Sequence, residues 1–176
     1  QLLLDRLPNT LVLAFAGLGV SLLIGLALGA AAARRRGTAT DAAIMGFAVV
    51  AASIPAFWLG MVLLQAFSVR LRWLPVAGTD LRNLILPALT LGIVYSALIT
   101  RMVRSTVIDV LAEDYIRTAR GRGLRERRVL TGHALRPALV GVVPMIGMAF
   151  VYILGGQVIV ENIFSWNGIG RLAIRA

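Results

Sequence analysis

Between Arg101 and Arg136 the chain sets nine arginines, four carboxylates (Asp109, Glu113, Asp114, Glu126) and its only histidine, His133, into a segment that no bilayer core would accept. Arginines at this density meet anions. They suit lipid headgroups, at about 1 kcal/mol per basic residue near the surface, or the acidic rim of a groove on a partner protein. Interleaved carboxylates and the lack of an aromatic platform argue against nucleic acid. Bond-making chemistry is poorly provided for. All 18 basic residues are arginine, so a Walker A phosphate loop and Schiff-base catalysis both lack their lysine. With no cysteine and a single histidine there is no thiol nucleophile, no disulfide and no His/Cys metal cluster. No nucleophile, base and metal set converges, so an enzyme is not expected, nor a cofactor of the chain's own. Energy or chemistry, where needed, must come from elsewhere.

The elements that carry this segment are apolar. Hydrophobic residues make up 59% of the chain and the mean hydropathy is +0.85, well above an ordinary soluble domain. Four stretches hold no charged residue: Leu7 to Ala33, Ala42 to Val69, Asn83 to Thr100 and Pro137 to Val160. Each approaches or exceeds the roughly 20 residues that cross about 30 Å of hydrocarbon as helix. The expected fold is therefore all-α, a polytopic transmembrane bundle with at least four membrane helices. The first run is too long, and lacks the basic leader, for a cleavable signal peptide. Arg34 to Arg36 and the Arg101 to Arg136 insert together hold 12 arginines against six elsewhere. By the positive-inside rule both face the cytoplasm, and Gln1 to Arg6, Arg70 to Arg82 and Glu161 to Ala176 face outward.

Within the insert, Ser105 to Thr118 is expected to be helical, with Glu113 four residues before Arg117 in favourable ion-pair order. Gly121 and Gly123 should turn the chain. Leu124 to Leu135 then resumes as a short amphipathic helix that Pro137 ends. In the runs, Gly25 and Gly29 form a small-xxx-small pair suited to close helix approach, and Pro55 and Pro144 should kink their helices. Trp58, Trp73 and Trp166 suit the membrane interface. No ionisable group lies inside a run, which disfavours a proton-coupled carrier. A pathway would be lined by neutral groups such as Ser21, Ser53, Gln65, Ser96 and Gln157.

The insert resembles the cytoplasmic loop of ATP-binding cassette (ABC) importer permeases of the dipeptide/oligopeptide (and nickel) branch. The resemblance rests on Asp114-Tyr115-Ile116-Arg117-Thr118-Ala119-Arg120-x-x-Gly123-Leu124, Arg127-Arg128-Val129-Leu130 and His133-Ala134-Leu135-Arg136. Ser53 to Gly60 and Val160 to Arg171 are similar to two further segments of that family. The general importer motif begins Glu-Ala-Ala, whereas Arg117-Thr118-Ala119 stands here, so a glutamate contact is not carried over. Asn167 replaces a common proline. Family members are normally longer, with one more membrane helix before and one after, so residues 1–176 resemble the central part of such a permease domain and 101–137 its coupling loop.

The resemblance implies a type I importer permease in a bacterial or archaeal inner membrane, moving peptides or similar small solutes. Its implied partners are two cytoplasmic ATPase subunits, which bind the ATP, a second permease subunit as homo- or heterodimer, an extracytoplasmic solute-binding protein and membrane lipid. Asp114, Tyr115, Arg117, Thr118, Ala119, Gly121, Gly123, Leu124, Arg127, Arg128 and Val129 would form the ATPase contact. In that picture the glycines set the turn, Leu124 and Val129 anchor, and Arg120, Arg125, Arg127 and Arg128 meet acidic rims or headgroups. The alternatives are a membrane scaffold with a lipid-binding basic loop, or a secondary carrier.

Overall fold

The computed structural model describes residues 2–76, 78 and 80–175; of residues 2, 3, 127 and 175 only the backbone is described. Every regular element among them is helical: α1 (Leu2–Arg34), α2 (Ala39–Ser53), α3 (Ala56–Leu63, continued by a π-helical stretch Leu64–Arg70), α4 (Leu81–Leu111), α5 (Asp114–Gly121), α6 (Glu126–Arg128, continued by a π-helical stretch Val129–Ala134), α7 (Leu135–Ile163) and α8 (Ile169–Arg175).

Glycines set the central seam. Cβ atoms built at Gly25 and Gly29 would lie 2.6 Å from Ile99 Cγ2 and 2.7 Å from Val103 Cβ, and one at Gly92 would strike Val20. The missing side chains let α1 and α4 approach closely, as the Gly25/Gly29 pair predicted. Gly17 meets Leu91, Gly25 meets Ile99 and Gly29 meets Val103. Contacts thus advance in the same direction along both helices, so α1 and α4 run parallel.

That polarity fixes the path between them. The chain must return across the bundle between Arg34 and Leu81, and among the described residues the helices there are α2 and α3. They break the apolar run Ala42 to Val69 where Pro55 was expected to kink it, being bent by 98° at their junction. Pro55 is the reason. It has no N–H to continue α2 and it drives Ile54 out of the helical region, to φ −79° and ψ 123°. The pair is a broken span. Helices α1, α4 and the continuous α6–α7 rod from Val129 to Ile163 are the three unbroken candidates to cross a membrane. Packing of Gly141 on Thr106 and of Tyr95 on Gly156 sets α7 antiparallel to α4. The two arginine-rich connections therefore share one end of the bundle, as the charge asymmetry required.

Each end has its own core. At the arginine-rich end Ile99, Val103, Val107, Ile116, Val129 and Val142 are buried together. At the opposite end Leu13, Leu91, Ile153, Val160, Phe164 and Trp166 do the same. Trp166 departs from expectation. Its ring is 2% exposed, and its Nε1–H donates to the Asn9 carbonyl at 2.9 Å, while Trp58 and Trp73 stay exposed. The burial follows from how α7 ends. Trp166 N–H donates to Glu161 O (2.8 Å) and Ser165 N–H to Asn162 O (3.3 Å), a Schellman turn with Ser165 at φ +52°. The turn folds the chain back over the Glu161 side chain.

Candidate functional site

Helix α5 is separated from α4 by a break the pattern over Ser105 to Thr118 did not show. Glu113 adopts an extended conformation (φ −67°, ψ 148°) as the N-cap of α5. Arg117 consequently pairs with Asp114 at 3.3 Å rather than with Glu113, and the pair is largely exposed. Asp114 opens the helix and Arg120 lies in its last turn, both matched to the helix dipole. Ile116 (0% exposed) and Ala119 (7%) face inward, while Asp114, Arg117, Thr118, Arg120 and Gly121 face out. An eight-residue helix is marginal alone. Burial of Ile116 against α4 and the Val129–Ala134 stretch holds it.

The C-terminus of α5 is closed by a second Schellman turn. Gly123 N–H donates to Arg120 O (2.9 Å) and Leu124 N–H to Ala119 O (3.4 Å), with Gly123 at φ +77°. Gly121 takes no part in the turn. It is helical, and a Cβ there would meet nothing. Across the turn Arg120 grips Glu126 through two bonds, Nε to Oε2 at 3.1 Å and Nη2 to Oε1 at 2.7 Å. That guanidinium hydrogen bond holds the Glu126 carboxyl below its ordinary range and raises Arg120 in turn.

The segment after the turn is not the free amphipathic helix expected over Leu124 to Leu135. One α-turn at Glu126–Arg128 passes through the π-helical Val129–Ala134 directly into α7. Pro137 does not end a helix, because it falls in the first turn of α7 just after the π-helical stretch, where its missing N–H does not stop the helix. The Tyr115 hydroxyl donates instead to the His133 carbonyl, at 3.4 Å. Val129 is 0% exposed and sealed among the chain's own residues, which removes it as an anchor for a partner. Leu124 is half-buried and borders, with Gly123, Arg125, Arg128 and Thr131, an open cavity of about 560 Å³. The Arg127 side chain lies outside the described residues.

Of the neutral groups considered for a pathway, Ser21, Ser53 and Ser96 donate to carbonyls of their own helices, at 2.8, 2.9 and 2.7 Å. Gln65 lines a shallow cleft beside Trp58 and Arg70. Gln157 is buried, and its Oε1 has no hydrogen-bond partner.

Two polar features escaped the sequence pattern. Asp41, just outside its run, is buried and accepts two bonds from Arg104, at 2.6 and 2.7 Å. Glu161, 0% exposed, accepts from the Thr10 hydroxyl at 2.8 Å and from Arg171 N–H at 3.2 Å. Thr38 three residues before Asp41 carries a capping-box signal, and the Thr38 side chain does accept Asp41 N–H. Nothing local names either long-range partner.

Residues 24–176 match the family described as binding-protein-dependent transport system inner membrane component. The chain belongs to this family. The permease is 45% identical over 171 residues to the glutathione transport system permease protein GsiC of Salmonella choleraesuis (strain SC-B67), and 44% identical to that of Escherichia coli (strain K12). Those alignments take in 97% of this chain and 56% of each relative, so the chain spans little more than half their length. The fold matches two crystal forms of the MetNI methionine ABC transporter, titled as inward facing conformations, with TM-scores of 0.79 and 0.80. Identity there is 20% and 19%, and 99% of this chain and 79% of the solved chain are covered. The all-α importer-permease fold, the inner-membrane setting and a transport rather than enzymatic family are thereby established.

Proposed function

We propose that this chain serves in the permease subunit of an ABC importer for peptides or similar small solutes, and that α5 with its Gly123 turn is the element on which a separate ATPase subunit acts. One observation carries this. Helix α5 presents a charged outer face, yet its inner face is held by Ile116 and its C-terminal end by the Gly123 turn and the Arg120–Glu126 pair. A rigid element transmits force. A basic loop serving only to bind lipid has no use for such bracing.

The surface offered to the ATPase is then Asp114, Tyr115, Arg117, Thr118, Gly121 and Leu124, with Arg128 at the rim; Ala119 and Val129 support it from within. Closure of two ATPase subunits on ATP would move α5, and through it α4 and the α6–α7 rod, as rigid bodies between inward- and outward-open states. A second permease subunit would complete the pathway and a solute-binding protein would load it. The relatives' names make glutathione and short peptides the first probes.

The test uses the full-length permease with its ATPase subunits and binding protein in proteoliposomes. Arg117→Glu is expected to lower ATPase association and glutathione-stimulated ATP hydrolysis about tenfold, the scale of one charged interface contact, with an unchanged melting temperature. Wild-type association and hydrolysis in that variant would overturn the role of α5. Binding to anionic vesicles with no ATPase dependence would favour the lipid scaffold.

A further inference from the structure

We propose that the Asp41–Arg104 pair is a pin that makes the broken span follow α4, so that motion imposed on α5 reaches α2 and α3. This rests on the importer function proposed above. Three ion pairs occur among the described residues, and two of them lie within the α5–α6 loop. The third joins two apolar elements. Arg104 Nε and Nη2 meet Asp41 Oδ1 and Oδ2 at 2.6 and 2.7 Å, a fork geometry that fixes orientation as well as distance. The Asp41 side chain is 6% exposed and the Arg104 side chain 28%. Asp41 Oδ2 also accepts Gly37 N–H at 3.0 Å, so the same carboxylate holds the α1–α2 connection.

What surrounds the pair gives it its importance. Further along α2 the buried contacts with α4 are made by Ala48 and Ala51 against Ala97, with Ile93 beside them. Methyl groups bury little area and interlock weakly, so this interface permits sliding along its length while the ion pair prevents it at one end. Arg104 lies seven residues before the end of α4 at Leu111, about 10 Å of rigid helix. Helix α5 begins three residues later. The pin is therefore about two helical turns from the end of α4, which leads directly into the element on which the ATPase would pull. Asp41 and Arg104 are positioning residues in this scheme.

Residues 1–176 hold no cysteine, so once any cysteine elsewhere in the full-length permease is replaced by serine, spin labels can be placed at the exposed Val50→Cys on α2 and Ser105→Cys on α4. In full-length permease in nanodiscs the label distance is expected to be single and narrow, and unchanged when ATPase subunits and ATP are added. In Asp41→Asn, Arg104→Gln and the double variant it should broaden equally, since each breaks the same link. In proteoliposomes, glutathione taken up per ATP hydrolysed should fall about fivefold or more in all three, the lower range of a coupling between sites, while ATP hydrolysis persists. A narrow distance together with a wild-type uptake-to-ATP ratio in Arg104→Gln would overturn the pin, and so would additive losses in the double variant. A purely structural role would lower yield and melting temperature and leave the ratio intact. If the wild-type complex takes up no glutathione or peptide with ATP, the importer function fails instead, and the label distances still decide the pin.

Discussion

Gly123 and Gly121 stand two residues apart in opposite circumstances, and a single methyl group separates them. Gly123 holds φ +77°, where a Cβ costs about 1–2 kcal/mol. Gly121 is helical with open space around it, so alanine there gains up to about 1 kcal/mol. Hydrogen exchange of the α5 amides should accelerate in Gly123→Ala and slow in Gly121→Ala; equal effects would mean that both glycines shape the turn. A second residue-scale test concerns Glu126. Its carboxyl is held low by the Arg120 hydrogen bond, so the pair contributes fully above the ordinary glutamate pKa of about 4.3 and is lost as pH falls through the lower folded value. Both side chains are substantially exposed, which limits the contribution to about 1 kcal/mol or less. Trypsin-independent probes such as backbone exchange should show the loop unchanged from neutral pH down to that window and looser below it. In Glu126→Gln the acid step should vanish.

At the scale of elements, α5 survives because Ile116 is buried among side chains of α4 and the Val129–Ala134 stretch. Ile116→Ala should cost about 2–5 kcal/mol of local stability and detach α5 while the bundle persists. Trypsin cutting at Arg117, Arg120 and Arg122 should then accelerate, with the α1–α4 seam intact; wild-type cleavage would place the hold elsewhere. The apolar spans, the shared end of the two arginine-rich connections and the Gly123 turn were legible in the sequence because length, charge and glycine each act locally. The Gly25/Gly29 seam was legible for the same reason. The break at Glu113 was hidden by a good helical pattern on both sides. Pro137 misled, since it falls in the first turn of α7 just after the π-helical stretch, where its missing N–H does not stop the helix, as Pro8, Pro87 and Pro144 do not stop theirs. Val129 looked like a surface anchor because amphipathic spacing shows which residues share a face, and not whether that face meets the chain itself or a partner. Asp41 and Arg104 lie 63 residues apart, a separation at which only the folded bundle reveals a pair.

Over the bundle as a whole, the end opposite the two arginine-rich connections is closed by a clasp joining α1 to the end of α7 and to α8. Glu161 accepts from Thr10, whose hydroxyl oxygen in turn accepts Ile169 N–H at 2.8 Å. Asn9 gives its carbonyl to Trp166 and its side-chain amide to the Asn167 carbonyl, the latter at 3.0 Å. Arg171 adds a bond from Nη1 to the Ser165 carbonyl at 2.6 Å. Removing the carboxylate orphans the buried Thr10 hydroxyl and Arg171 N–H, at about 1–3 kcal/mol for each unsatisfied group. Glu161→Ala should therefore lower the melting temperature in detergent by several degrees and expose the Trp166 ring, shifting its fluorescence to the red. Gly168→Ala offers an independent route to the same loss, since its Cβ would strike the Glu161 carboxylate, whereas Gly155→Ala on α7 meets open space and serves as the control. Melting of Gly168→Ala at the wild-type temperature, with Trp166 emission unmoved, would show that α1, α7 and α8 are held together by apolar packing alone.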